Sequence, residues 1–125
     1  MSEEELVLEI RKVGYHIDSV YDLVNNTPHP FLERKFTGSY PLAYPILIKH
    51  LNKPYPPLIK EGIVRALAVK DASKVAKQPL LEEFYKDNNK FVKWAIANTL
   101  KCYMGKAERD KYPEIDQAFN NINAV

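Results

Sequence analysis

Two trios of side chains are spaced to grip another molecule. Glu61, Arg65 and Ala68 recur at intervals of four and three, and Trp94, Asn98 and Lys101 repeat those intervals 33 residues later. On a helix, such intervals put each trio on one face. Two such helices stacked side by side set Glu61 beside Trp94, Arg65 beside Asn98 and Ala68 beside Lys101. The result is a ridge holding an aromatic plate, a forked cation and an amide. Tryptophan and arginine concentrate binding energy at protein interfaces through large contact area and planar hydrogen bonding. Glu61, Arg65, Trp94, Asn98 and Lys101 therefore form the candidate binding site. A competing arrangement packs Trp94 under the N-terminal helix and uses Arg65 and Asn98 to tie helices to adjacent loops.

Making and breaking bonds needs more than this ridge offers. Glu61 is its single carboxylate, and general acid–base catalysis requires a second group within reach. His16, His29 and His50 are too scattered to place two imidazoles on one helix turn, and Cys102 has no companion cysteine, so no metal ligands are assigned. The four glycines never cluster, which removes phosphate-cradling loops. The chain is expected not to be an enzyme and to need no metal or cofactor.

At 125 residues, with 46% apolar and 27% charged residues, the chain suits one folded domain. Its net charge of +2 hides an uneven distribution, with seven acids and four bases up to residue 45 and nine acids and fourteen bases beyond it. Lysines at 49, 53, 60, 70, 74, 77, 86, 90 and 93, with Trp94 and nearby tyrosines for stacking, are groups a nucleic acid would use. They are also spread over several helix faces among Glu82, Glu83 and Asp87, as on an ordinary solvated surface. Tyr40, Tyr44 and Tyr55 are open to two readings, an exposed adhesive edge or filling between short helices. MSEEELVLEI opens with three consecutive glutamates, Glu3 to Glu5, and has no long apolar run, so neither a signal peptide nor a membrane span is expected. Cys102 lies among apolar neighbours, which predicts packing rather than reactivity and suits a reducing compartment. A cytoplasmic location is the expectation.

Periodicity supplies the elements that must hold the ridge. Leu6, Ile10, Val13, Ile17, Val20 and Val24 form one apolar stripe, predicting an amphipathic helix over 3–26 with Ser2 as N-cap, unless Gly14 divides it. The stripe suits packing on the rest of the chain better than a coiled-coil dimer. Residues 27–41 read as a proline-rich connector, with one helical turn around Phe31 to Phe36. Beyond them, 46–70 and 79–103 are two imperfect copies of one pattern, in which Leu47 falls on Leu80, Ile48 on Leu81, Leu51 on Phe84, Leu58 on Phe91, Ile59 on Val92, Ile63 on Ile96 and Leu67 on Leu100. Each copy predicts an αα-hairpin, one over 42–70 with a helix opening at Pro57 and running to Lys70, the other over 79–104 opening at Pro79 and ended by Gly105. A charged linker, KAERDK, then leads to a capping helix over 112–123 carrying Ile115, Ala118, Phe119 and Ile122 on one face.

The phrases KEGIVRALAVK and KWAIANTLKC resemble the second helix of HEAT-like repeats, the compact bacterial kind, with armadillo and DNA-alkylation-repeat proteins as neighbouring possibilities. The second copy departs from the pattern, with Ala97 and Asn98 where the first has Val64 and Arg65. The resemblance covers residues 42–104 and implies an all-α fold, a short α-solenoid of two hairpins between an N-terminal helix and a C-terminal cap. It further implies a non-catalytic scaffold or adaptor that binds a protein or peptide along the second-helix ridge. A nucleic-acid-binding module on the basic repeat face is the alternative, and behind it a DNA-alkylation-repeat glycosylase using Glu61. The expected state is a monomer or weak dimer.

Overall fold

The computed structural model describes residues 1–121. Among them are eight α-helices and no strand: α1 (Glu4–Lys12), α2 (Tyr21–Val24), α3 (Tyr44–His50), α4 (Pro57–Ala66), α5 (Ser73–Lys86), α6 (Lys90–Tyr103), α7 (Lys106–Arg109) and α8 (Pro113–Asn121). Single 3₁₀ turns at Pro41–Ala43 and Lys70–Ala72 lead into α3 and α5. The fold is all-α. α3 packs on α5, α2 and α8 pack on α4 and α6 respectively, and α4 packs on α6. Near the starts of α3 and α5 the Tyr44 hydroxyl donates to Asp71, and near the ends of α4 and α6 the Thr99 and Tyr103 hydroxyls donate to the carbonyls of Val64 and Leu67. Each pair therefore runs in one direction.

The 33-residue register is a burial register. Leu47 and Leu80, Leu51 and Phe84, Ile63 and Ile96, and Leu67 and Leu100 are all buried, and each such side chain contributes about 1.5–3 kcal/mol when taken out of water. The matched pair Leu58 and Phe91 is not part of this buried register. Both sit at the second position of their helix and are exposed, as are Leu42 and Val75, also 33 residues apart. A polar position repeats too: His50 and Glu83 are buried in the same register.

The single N-terminal helix expected over 3–26 is two helices. α1 stops at Lys12, and Gly14 takes φ +110°, with Gly14 N–H donating to Arg11 O and Tyr15 N–H to Ile10 O. This is a Schellman cap, for which glycine has no Cβ penalty. The chain then doubles back, tied by Arg11 to the Ile17 carbonyl and to Asp18. Glu9 meets Lys49 and His50 at the end of α3 while the Tyr15 hydroxyl accepts from Leu42 N–H before its start, so α1 runs antiparallel to α3. Leu6, Ile10, Ile17 and Val20 are buried as the stripe requires, but from two segments. Glu3 rather than Ser2 holds the N-cap position; the Ser2 hydroxyl accepts Glu4 N–H at 3.4 Å, and the Glu3 carboxylate accepts Val20 N–H at 2.8 Å.

Other boundaries move for local reasons. α4 ends at Ala66, and its last carbonyls, orphaned by helix geometry, are met from neighbours: Tyr40 donates to Ala66 O at 2.7 Å and Tyr103 to Leu67 O. Tyr40, Tyr44 and Tyr55 are thus buried filling with satisfied hydroxyls. Burial pushes the Tyr40 hydroxyl up to about 12, and Tyr103 is raised in the same direction by the same cause. α5 opens at Ser73 rather than Pro79, because Ala72, Ala76, Leu80 and Phe84 recur every four residues along one buried stripe that carries the helix through the proline. Gly105 does not end α6. It precedes α7, which turns the expected charged linker into one helical turn. The segment around Phe31 to Phe36 is irregular, and Cys102 is exposed. α8 opens at Pro113 as expected and buries Ile115, with Ala118 and Phe119 packed against the core; Ile122 and residue 123 lie outside the described residues.

Candidate functional site

The predicted ridge is divided between two neighbours. Tyr21, at the start of α2, donates its hydroxyl to Leu58 O at 2.6 Å and lies within the field of Glu61 and Arg65. Burial raises the Tyr21 hydroxyl, Glu61 adds to the rise, and Arg65 opposes it. Arg65 is exposed and Glu61 is half-buried. On α6, Trp94 stacks on Phe119 of α8, with ring centroids 5.5 Å apart and planes 12° from parallel. Lys101 places its ammonium 3.9 Å from the same ring and 3.8 Å from Asp116. Asn98 is half-buried between them in sequence. The structure therefore brings Trp94 and Lys101 together under α8, and Glu61 and Arg65 together beside α2. The tryptophan packs, as the competing arrangement held, but under the C-terminal helix rather than the N-terminal one.

Beside the Trp94–Phe119 stack, α5, α6 and α8 enclose a cleft of about 430 Å³, within the range of small-ligand and side-chain pockets. Phe84 and Tyr85 lie at the end of α5, Lys90 and Lys93 in the first turn of α6, and Gln117 and Ala118 on α8 opposite them. The Asn89 side chain sets the start of α6 by accepting N–H bonds from Phe91 and Val92, which fixes where the lysines project. Phe84 is buried and packs edge-on to Tyr85 at 5.1 Å. Lys93 donates to the Phe84 carbonyl and holds its ammonium 4.1 Å from the Phe84 ring centre. Glu114, on the α8 side, accepts from the Tyr85 hydroxyl at 3.3 Å. Tyr85, which also lines the cleft, is half exposed. This is a concave apolar surface edged by two ammonium groups.

Charges elsewhere are used internally. Lys60 is 12% exposed and reaches Glu83 at 3.3 Å and Asp87 at 2.6 Å. His50 is wholly buried between Glu9, 2.5 Å from Nε2, and the Tyr55 hydroxyl, 2.6 Å from Nδ1. Glu9 is held below its ordinary value of 4.5, first by the Lys49 hydrogen bond, against a smaller opposing effect of burial, and then by His50. Lys77 pairs with Glu108 at 2.8 Å. No group of three or more histidine, cysteine or acidic side chains able to hold a metal ion occurs among the described residues, and no helix among them is long and apolar enough to cross a membrane.

In the sequence, Lys90 and Lys93 are two among many lysines, and nothing in their spacing brings Phe84, Tyr85, Glu114, Gln117 and Ala118 beside them. The signal that could have separated Lys93 was the register itself, since Lys93 lies 33 residues after Lys60. No protein-family model matches the chain, and comparisons with curated proteins and with solved structures found no match.

Proposed function

We propose that the protein is a non-catalytic binding module, a short HEAT-like α-solenoid in which α3–α4 and α5–α6 are the repeats and α8 is the cap. Its ligand is a segment of another protein or a peptide, taken in the cleft between the α5–α6 turn and α8. The observation that carries this reading is the cleft itself, a concavity of about 430 Å³ with an apolar floor and two lysines at its edge. Peptide recognition uses such surfaces, with aromatic anchoring at the centre and polar groups at the rim. The ridge enters indirectly, because Trp94 and Lys101 hold the helix that forms one wall. A monomer or weak dimer in the cytoplasm fits this role.

Nucleic-acid binding has less support, because Lys49, Lys60 and Lys77 are committed to Glu9, to Glu83 and Asp87, and to Glu108. For a glycosylase, Glu61 would need a partner acid, and Glu3, the other carboxylate whose charge acts on Tyr21, accepts Val20 N–H.

Filling the cleft tests the proposal. Ala118→Trp is expected to abolish retention of a random heptapeptide pool on the immobilised protein, while Arg65→Ala leaves retention unchanged. Loss with Arg65→Ala and persistence with Ala118→Trp would move the site to α4 and refute the cleft.

A further inference from the structure

We infer that the cleft recognises a carboxylate carried beside an aromatic or aliphatic side chain on the bound peptide segment. The inference rests on the reading of the cleft as the binding site, and it comes from comparing two lysines one repeat apart. Lys60 and Lys93 occupy equivalent positions in α4 and α6. Lys60 meets two carboxylates supplied by the helix that follows it, Glu83 and Asp87. The residues 33 further on are Asp116 and Asn120. Asp116 is turned to Lys101, at 3.8 Å, and Arg109, at 3.5 Å, and Asn120 carries no charge.

Lys93 therefore reaches neither of the carboxylates its register calls for. It is half-buried, spends one of its three donors on the Phe84 carbonyl, and has the Phe84 ring as its other neighbour. A partly desolvated ammonium is costly without a counter-charge. No carboxylate within 4.0 Å answers it among the described residues, and none answers Lys90, whose ammonium lies over Phe91 at 5.3 Å. Glu114, the acidic lining residue, accepts instead from Tyr85. Apart from Glu114, the facing wall offers Gln117, Ala118 and Asn121, all neutral. An incoming carboxylate would complete at Lys93 the arrangement that Glu83 and Asp87 make at Lys60, and the Phe84–Tyr85 surface would take the adjoining apolar side chain. The favoured partner is thus an acidic segment with an apolar residue next to the acid.

Three blocked heptapeptide pools, randomised except for a central Phe-Glu, Phe-Gln or Phe-phosphoserine pair, provide the probe. The wild-type protein is expected to retain the Phe-Glu pool about tenfold better than the Phe-Gln pool, the size of one charge-assisted hydrogen bond. Lys93→Met should erase that preference, whereas Lys93→Arg should keep most of it. Gln117→Glu, which offers Lys93 an internal carboxylate without removing any packing, should erase it as well. Equal retention of the Phe-Glu and Phe-Gln pools, lost in Ala118→Trp, would overturn the carboxylate inference and leave the cleft standing. Stronger retention of the phosphoserine pool than the Phe-Glu pool would replace the carboxylate with a phosphate and overturn it likewise. Retention that survives Ala118→Trp, or no retention of any pool, would sink the cleft reading and this inference together.

Discussion

Phe84→Ala is expected to destabilise the protein by about 3–5 kcal/mol, the range for removing a buried phenylalanine from a packed core. In a domain of this size that corresponds to a fall in melting temperature of roughly 10–20 °C. Phe84 is 1% exposed and closes the buried stripe that runs through Ala72, Ala76 and Leu80 along α5. Its ring also packs on Tyr85 and supports the Lys93 ammonium. The substitution therefore takes away the floor of the cleft as well as core volume. Phe84→Leu, which keeps most of the volume, should cost less than about 1.5 kcal/mol but still lose the ring under Lys93. Thermal unfolding of the two variants side by side decides the point. Near-equal melting of Phe84→Ala and wild type would show that α5 is not packed through this residue.

Trp94 separates packing from recognition. Trp94→Ala is expected to lower stability by about 2–3 kcal/mol, from lost apolar burial and a lost aromatic stack. Trp94→Phe should be close to neutral. The reason is that the indole Nε1 is buried with no hydrogen-bond partner among the described residues, so phenylalanine keeps a ring against Phe119 and removes an unsatisfied donor. Phe119→Ala should resemble Trp94→Ala, since both open the same stack and Phe119 also carries Lys101. Hydrogen exchange then reports where the damage falls, with amides of α8 losing protection before those of α4 and α6. If Trp94→Ala melts like wild type, Trp94 is a surface residue and the ridge first read from the sequence regains its claim.

What the sequence disclosed and what it concealed follow from the range of the forces involved. The helical character and the buried positions were legible because burial is periodic along a helix. Leu47, Ile63, Leu80 and Ile96 needed no knowledge of their neighbours to be placed inside. Gly14 was legible as a weak point, but not the reversal of α1, which depends on Glu3, Glu9 and Arg11 reaching partners distant in the chain. Pro79 was misread as a helix start because its usual N-terminal preference is local, while the stripe that overrides it spans Ala72 to Phe84. The apolar sequence neighbours of Cys102 suggest burial, yet near the end of α6 it falls between the buried Leu100 and Met104 and is exposed. The cleft was concealed for a different reason. It is formed by α8 lying against α6, and no periodicity within either helix specifies which of their faces meet.

Entry of a peptide between α8 and the α5–α6 turn is measured most directly by a residue-resolved amide spectrum of the isotope-labelled wild-type protein titrated with the Phe-Glu heptapeptide pool. Saturable shifts are expected, confined to the backbone around Phe84, Tyr85, Lys90, Lys93 and Gln117, with Arg65 and its neighbours on α4 unmoved. Shifts centred on Glu61 and Arg65, or no shifts at all, would contradict it.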